Sequence, residues 1–398
     1  MQRLSLVDTV FIGLAAMLGA GVFVIFGPAA NYAGPALPLA IVLAGVVAYL
    51  NAGSVAQLAS VVTRSGGGYA YARVYVSKNF SFLAGSAFVV GKIGSSAAIA
   101  LTIATYLTPS NPLPTAIGAV IVMTAVNLAG INRTAFGSKV LASITISFLF
   151  ALLISAIALP SAPSALSSGT PIGVLSAAAL FFFAFAGYAR VATLGGEVSD
   201  SDRNVPKAIW ISLSLVLVIY LSLSFVLSDK LGASLALSFT PLADLAARTW
   251  LGGEYLWIFA SIAGLGSLLA LLAGMSRTSA EMAIDGELPK IFSKKLANGA
   301  PIVAELFIAG LVIVLVSTGG VLLSLGISSF AVLLYYAITN FAAFRQPSSQ
   351  TSRPKLLNLM GLALCLLLAL SVPLDGLILG ASFLTVAMLL RWGLRALR

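Results

Sequence analysis

Gly19, Ala20 and Gly21 interrupt an apolar stretch, DTVFIGLAAMLGAGVFVIFGP, that is otherwise suited to cross a bilayer. Each glycine costs a helix roughly 1 kcal/mol relative to alanine, and lipid tolerates a broken helix only where the loosened backbone lines a cavity. The helix that resumes at Ala20, Gly21 and Val22 would present unpaired N–H groups and the positive end of its dipole, which suit a carboxylate. The alternative is that the glycines only let neighbouring helices approach closely.

A second apolar stretch, residues 173–200, has the small pair Ala186-Gly187 near its middle. A break there would free the backbone carbonyls of Phe183, Ala184 and Ala186 to accept hydrogen bonds from an ammonium group. One break would therefore bind the carboxylate of an amino acid, and the other its ammonium. Because all these candidate groups belong to the backbone, they do not specify which side chain the substrate carries.

Three phenylalanines, Phe182, Phe183 and Phe185, precede the second break. Such rings in an apolar helix most simply pack in the core or face lipid. One of them beside the break could instead close over a substrate, and Phe185 is the candidate gate.

The elements that must position these groups are membrane helices. Hydrophobic residues make up 60% of the 398 residues and charged residues 9%, which excludes a soluble domain. Repeated runs of about 20 apolar residues predict an all-α polytopic protein in which residues 1–398 form a single transmembrane domain. The first run is not followed by a soluble body, so we interpret it as a retained span and not a signal peptide. The 12 predicted spans lie near 8–28, 37–60, 81–107, 113–129, 137–159, 173–195, 207–228, 254–277, 301–320, 323–344, 355–372 and 375–393.

Lysine and arginine are distributed unevenly between the loops. Most of the 22 lie in loops that are cytoplasmic when the N-terminus is inside, and only Lys230 and Arg248 lie in outer loops. This bias predicts a multi-pass protein of the cell membrane with both termini in the cytoplasm. It also explains the formal net charge of +10 without a nucleic-acid partner. Lys92, Lys139 and Arg190 lie within spans or at their edges.

Residues that membrane enzymes use are scarce in this chain. It has no histidine and a single cysteine, Cys365, which excludes disulfides and thiolate metal sites. No helix carries paired intramembrane carboxylates and no glycine-rich phosphate loop occurs, so we expect no enzyme activity, no cofactor and no metal. A ring-forming channel filter is not evident, and a carrier of small molecules fits best.

The two interrupted spans are the first and the sixth, five spans apart. Because five is odd, a second copy of spans 1 to 5 would enter the membrane from the opposite side. We therefore predict an inverted repeat, with repeat one at about 8–159, repeat two at about 173–344 and extra helices at about 355–393.

Four stretches carry further signals: IGLAAMLGAGVF in span 1, RSGGGYAYARVY after span 2, FFFAFAGYARVATLGGEVSDSDRNVPKAI from span 6 into span 7, and GMSRTSAEMAIDGELPK after span 8. In this order they resemble the amino acid, polyamine and organocation (APC) transporter superfamily, over nearly the whole chain. The resemblance implies 12 transmembrane helices in a five-plus-five inverted repeat (a LeuT-like fold) with two extra C-terminal helices.

Three positions depart from the pattern of this superfamily. Gln57 stands where a glutamate is usual, Ala189 stands where an acid often occurs, and a single acid, Glu197, stands where two glutamates often close span 6. A mechanism that runs through those acids is therefore not expected here. Glu197 is more simply a structural partner of Arg190 or Arg203.

Carrying a proton requires a group that titrates within the membrane. With no histidine, and no Asp or Glu near the centre of a span, the candidates are Lys92 and Lys139, since arginine stays protonated. Lys92 lies about half way along span 3, where it either adds a charge to the central cavity or pairs with backbone carbonyls. Lys139 lies one turn into span 5.

The resemblance selects Lys139 as the coupling residue. Proton-driven members of the superfamily are similar to this chain in having a lysine there, facing spans 1 and 8, where sodium-driven relatives hold a cation. Desolvation favours the neutral form of a lysine, so proton loss could loosen spans 1 and 8, with Ser267 as a candidate contact. The alternative is a lysine that snorkels to the cytoplasmic end of its helix.

These features predict a permease: a secondary active transporter of amino acids or related organic amines that works by alternating access and is a proton symporter through Lys139. Its partners would be the small-molecule substrate, protons and the lipid bilayer. An uncoupled exchanger, a channel or a sensor of the same fold are the alternatives. The particular substrate, the direction of transport and the oligomeric state stay open.

Overall fold

The computed structural model describes residues 4–19, 21–62, 66–130, 135–192 and 198–396. Helices make up nearly all regular structure in these residues, where the only β pairing is an isolated parallel bridge between Leu4 and Val198. The all-α prediction is therefore confirmed for this part of the chain.

Eight helices occur in the described residues before position 157. They are α1 (Leu6–Met17), α2 (Gly21–Val24), α3 (Phe26–Ala33), α4 (Leu37–Ala59), α5 (Gly68–Tyr75), α6 (Lys78–Leu107), α7 (Pro112–Leu128) and α8 (Ala135–Ala156).

Nine more helices follow a loop that ends at Thr170. They are α9 (Pro171–Phe185), α10 (Ala189–Ala192), α11 (Ser201–Leu231), α12 (Pro241–Ala246), α13 (Leu256–Ile284), α14 (Ile302–Thr318), α15 (Val321–Arg345), α16 (Lys355–Leu370) and α17 (Leu374–Ala396).

Nine helical stretches in the described parts of the chain are long and apolar enough to cross a membrane, by length and composition. Three shorter apolar helices, α7, α14 and α16, lie where spans 4, 9 and 11 are predicted. Large apolar side chains lie exposed along the helices, among them Ile154, Val218 and Val314, as is typical of surfaces that face lipid. A polytopic membrane protein is confirmed, whereas the number of 12 crossings stays a prediction.

The chain divides into two compact units. The first contains Met1–Tyr49, Ile99–Thr115 and Arg133–Ser267, and the second contains Leu50–Ala98, Ala116–Asn132 and Leu268–Arg398. Each unit takes segments from both predicted repeats, so the units do not coincide with the repeats, and the repeat boundaries stay a prediction.

An aromatic cluster lies inside the first unit, where α1 packs against α8 and α11, and α3 packs against α9. The ring of Tyr220 meets Phe26, Phe181 and Phe185 edge to face, with centroid distances of 6.1, 5.6 and 5.1 Å. Such pairs contribute about 0.5–1.5 kcal/mol each beyond their buried area. The cluster therefore holds α11 against both interrupted spans.

A buried cluster of amides lies inside the second unit, where α15 packs against α5, α16 and α17. Asn340 donates to Asn51 at 2.6 Å, and Ser54 donates to Asn340 at 2.6 Å. Gln57, which replaces the usual glutamate, donates to Gln346 at 2.8 Å. Because buried polar groups need such partners in apolar surroundings, Gln57 has a structural explanation that involves no proton.

Candidate functional site

The first span is interrupted at the position that its glycines predict. Helix α1 ends at Met17, Leu18 is its C-cap, and α2 begins at Gly21. Ala20, the middle residue of the predicted break, lies outside the described residues. The end of α1 and the start of α2 nevertheless locate the interruption near the middle of an apolar span.

Backbone donors at the start of α2 have weak hydrogen bonds or none. The Val22 N–H reaches the Gly19 carbonyl at 3.4 Å, and no hydrogen bond from the Gly21 N–H occurs within the part of the chain that the structure describes. Unpaired N–H groups are expected at the start of a helix. These two donors are therefore available to an anion.

The break in the sixth span is milder than predicted. Helix α9 ends at Phe185, and a 3-10 turn, Ala186–Tyr188, leads into α10. The Ala186 N–H donates to the carbonyls of both Phe182 and Phe183. A 3-10 turn keeps hydrogen bonds between residues three apart, and this one contains a single glycine where span 1 has two. The Phe183 carbonyl therefore already accepts one hydrogen bond, and its role toward an ammonium group stays a prediction.

Tyr220, from α11, is a residue that the sequence analysis did not identify. Its hydroxyl lies 2.7 Å from the Met17 carbonyl and 3.3 Å from the Ala184 carbonyl. The Ala184 carbonyl thus also has a partner, although a carbonyl has a second lone pair for another donor. The chain has 11 tyrosines, and no sequence motif distinguishes Tyr220 from the others, because only the fold brings it between the two breaks.

The two breaks lie against each other. A Cβ added at Gly187 would overlap the backbone carbonyl of Ala16 in the last turn of α1. A Cβ added at Gly21 would lie 3.2 Å from Cε1 of Phe183 and 3.3 Å from the Cα of Ala184. Both glycines therefore permit close backbone packing, and the binding role of Gly21 stays a prediction.

Phe183 and Phe185 have different surroundings. Phe185 is fully buried, and its ring lies edge to face with Tyr220. Phe183 is only half-buried and its ring edge lies beside Gly21. A ring held in the core cannot swing over a ligand without opening that core, and the gate role of Phe185 stays a prediction.

Lys139 forms an ion pair with Asp8, which joins the N-terminal part of α8 to the first turn of α1. The Asp8 carboxylate also accepts hydrogen bonds from the Ser5 N–H at 2.9 Å and the Ser5 hydroxyl at 2.6 Å, as part of a capping box. Asp8 lies nine residues before Met17, or about 14 Å at 1.5 Å per residue. Lys139 therefore lies at the start of α1 and not at the break.

Ser267 does not pair with Lys139 in the part of the chain that the structure describes. Its hydroxyl donates to the Ala263 carbonyl at 3.0 Å and lies against Gly19, where an added Cβ would overlap it. A carboxylate attracts an ammonium more strongly than a neutral hydroxyl does, so Asp8 replaces Ser267 as the partner of Lys139.

Lys92 lies in the middle of α6 and is half-buried. Within the described ranges its ammonium has no hydrogen bond or ion pair. A cation within a span costs several kcal/mol unless it is paired, hydrated or able to reach the interface, so Lys92 stays a candidate functional residue. The side chain of Arg190 and all of Glu197 lie outside the described residues, and their pairing stays a prediction.

Two of the family-like stretches meet in a charged cluster within the second unit. Tyr69 in α5 donates to Asp285 at 2.7 Å, and Arg73 lies 3.3 Å from Glu287. Arg391 in α17 lies 2.7 Å from the same glutamate. Burial, together with the Asp285 carboxylate, raises the pKa of the Tyr69 hydroxyl, which keeps it a donor. This cluster gives both stretches a structural role.

Glu305 is a buried acid that the sequence analysis passed over. It lies in the first turn of α14 and accepts a hydrogen bond from Asn127 at 2.9 Å. Asn127 also donates to the Leu269 carbonyl at 3.0 Å. This carboxylate lies at the end of a predicted span and not at its centre, so its position in the sequence does not mark it as a titratable group within the membrane.

Comparison with known proteins gives matches along nearly the whole chain. Residues 4–392 match the family model described as amino acid permease. An uncharacterized transporter of Mycobacterium tuberculosis is 40% identical over 394 residues, which cover 97% of this chain and 89% of that protein. Cationic amino acid transporter 4, vacuolar, of Arabidopsis thaliana is 26% identical over 421 residues, 97% of this chain and 66% of that protein. The methylthioribose transporter of Bacillus subtilis is 27% identical over 330 residues, 74% of this chain and 69% of that protein.

Proposed function

The chain belongs to the amino acid permease family, and we propose that it carries amino acids or related organic amines across the cell membrane by alternating access. It is a transporter and not an enzyme. The observation that most supports the proposed mechanism is the contact between two interrupted membrane helices, where Gly21 after the first break lies against Ala184 before the second. Broken helices in corresponding positions are typical of carrier sites.

The proposed topology has 12 membrane crossings, with spans 1 to 5 and 6 to 10 as inverted repeats and both termini in the cytoplasm. Nine long apolar helical stretches and three shorter ones in the described residues support it, as does the bias of lysine and arginine between loops.

The proposed substrate site uses backbone groups from both breaks. The substrate carboxylate accepts hydrogen bonds from the N–H groups of Gly21 and Val22, whose donors have weak partners or none among the described residues. The ammonium donates to the Ala186 carbonyl and to the second lone pair of the Ala184 carbonyl. Phe183, half-buried beside Gly21, covers the substrate.

The proposed coupling element is the ion pair of Lys139 and Asp8. A charged Lys139 ties α8 to the start of α1, and loss of its proton removes that tie. The N-terminal part of α1 then separates from α8, and this movement opens the span that binds the carboxylate. Lys139 thereby acts through the end of span 1, about 14 Å from the break.

An uncoupled exchanger is the second candidate function, and the same ion pair favours it. If the pair only fastens α8 to the first turn of α1 and stays closed throughout the cycle, it carries no proton and drives no accumulation. Exchange of one substrate for another would then be the whole activity.

Substrate charge is a separate part of the proposal. Names of relatives include cationic amino acid transporters and a methylthioribose transporter, and so do not fix one class. We propose that Lys92, which has no ion-pair partner among the described residues, adds a positive charge within span 3 that disfavours the passage of cationic substrates. Lys92→Met should raise uptake of basic amino acids relative to neutral ones. The exposed Lys294→Met should not, and equal ratios in both variants would remove Lys92 from substrate selection.

Counterflow in proteoliposomes tests the transport proposal. Vesicles that contain the purified protein are loaded with unlabelled amino acids, and the entry of labelled amino acid is followed. A carrier gives a transient, saturable overshoot, whereas a channel gives a flux that rises linearly with concentration. An imposed pH gradient then separates symport, which accumulates substrate, from exchange, which does not. A linear flux for every amino acid and amine tested would contradict the proposal.

A further inference from the structure

Tyr220 occupies a position between the ends of two broken helices. It lies in α11 and is fully buried. Its hydroxyl lies 2.7 Å from the carbonyl of Met17, the last residue of α1, and 3.3 Å from the carbonyl of Ala184, next to the last residue of α9. One side chain from a third helix therefore reaches both interruptions.

The chemistry of these helix ends explains why a donor is needed there. The last carbonyls of a helix lack the N–H groups that would pair with them inside it, and unpaired polar groups within a membrane are costly. A tyrosine hydroxyl has one proton, and its position lets that proton serve the nearer Met17 carbonyl or the Ala184 carbonyl. The hydroxyl thus links the two ends by sharing one proton between them, and each carbonyl keeps a second lone pair.

The ring of Tyr220 is held independently of its hydroxyl. Phe26, Phe181 and Phe185 meet it edge to face. A phenylalanine at position 220 would keep these contacts and lose only the hydrogen bonds. The substitution therefore separates packing from the positioning of the breaks.

We propose that Tyr220 is a positioning residue that keeps the two helix breaks in register, so that the donors of one and the acceptors of the other face one substrate. The inference rests on the proposed function. Tyr220 acts through the backbone at Met17 and Ala184 and does not itself contact substrate.

Hydrogen exchange of the purified Tyr220→Phe protein, without substrate, tests the physical part of this inference. Peptides that cover residues 14–19 and 184–188 should both exchange faster than in the natural protein, by about tenfold, while peptides of α15 should not change. Faster exchange in only one of the two breaks, or in neither, would overturn the inference even if no substrate were known.

Substrate affinity tests the functional part. The dissociation constant of an amino acid substrate should rise about tenfold in Tyr220→Phe. Ser224→Ala is the matched control, because it removes a hydroxyl one turn later in α11 that, among the described residues, bonds only the Leu221 carbonyl of the same helix. That control should change affinity less than threefold. Equal affinity losses in the two variants would show a general effect of lost hydroxyls and overturn the positioning role, whereas failure of the natural protein to bind any amino acid would count against the proposed function alone.

Discussion

The breaks in spans 1 and 6 differ in how completely the backbone leaves the helix. In span 1 the helix stops at Met17 and restarts at Gly21, and the first donors of the new helix have weak partners or none among the described residues. In span 6 a 3-10 turn continues the helix, and the carbonyls of Phe183 and Ala184 already accept hydrogen bonds. We therefore expect the two breaks to contribute unequally to substrate recognition.

For the proposed site, this difference predicts that span 1 supplies most of the binding energy. An anion would replace at most the weak Val22 to Gly19 hydrogen bond, whereas an ammonium at span 6 would be a second donor to carbonyls that already accept a hydrogen bond. An unpaired buried group costs about 1–3 kcal/mol, so the carboxylate should contribute more to affinity than the ammonium.

Gly21→Val should have the largest effect on binding. The new side chain would meet Phe183 and Ala184 at the contact of the breaks and would cover the donors of α2. We expect affinity to fall at least about 100-fold, or about 2.8 kcal/mol, in a binding assay on the purified protein.

Gly310→Val in α14 is the matched control, because a Cβ added there meets no atom within 4 Å. It should leave affinity unchanged. Natural affinity in Gly21→Val would show that the carboxylate site is misplaced and would reduce Gly21 to a packing residue.

Gly187→Ala should have the next largest effect, and it acts on stability. Its Cβ would overlap the Ala16 backbone, which cannot rotate away, and overpacking of this kind costs about 1–3 kcal/mol. Gly19→Ala should be milder, because its Cβ overlaps the Ser267 hydroxyl, which can change rotamer, and lies 3.3 Å from the Ser267 Cβ and 3.8 Å from the Ala15 carbonyl. Melting temperatures of the two variants check this order, and a larger drop for Gly19→Ala would contradict the packing described for the breaks.

Lys139→Ala should have the smallest effect on binding and a selective effect on transport. The ion pair with Asp8 lies at the start of α1, so substrate affinity should change less than threefold. Accumulation driven by a pH gradient should be lost, and Asp8→Asn should reproduce that loss because it removes the same pair. Proteoliposome uptake with and without the gradient is the measurement. Persistent gradient-driven accumulation in Lys139→Ala would direct the search to Lys92 and Glu305.

The sequence predicted much of the fold because apolar length and glycine position are local properties. The helices, the interruption of span 1 and the APC superfamily, which the family match confirms, all follow from residues that are close in the chain. Gly19 and Gly21 marked the break without any knowledge of its neighbours.

Contacts between distant residues could not be predicted in this way. Tyr220 reaches Met17 from about 200 positions away, and Asp8 meets Lys139 across several helices. No sequence pattern showed that Phe185 would pack in the core and Phe183 beside Gly21. The close packing of Gly187 against the α1 backbone likewise joins residues that are distant in the chain.

The central claim is tested most directly by the binding of three ligands that carry the same side chain. They are the amino acid, the amine that lacks its carboxylate, and the α-hydroxy acid that lacks its ammonium. Dissociation constants are measured on the purified natural protein. The account predicts a loss of at least about 100-fold for the amine and about tenfold, or about 1.4 kcal/mol, for the hydroxy acid. An amine that binds as tightly as the amino acid, or a hydroxy acid that binds more weakly than the amine, would contradict carboxylate recognition by the break in span 1.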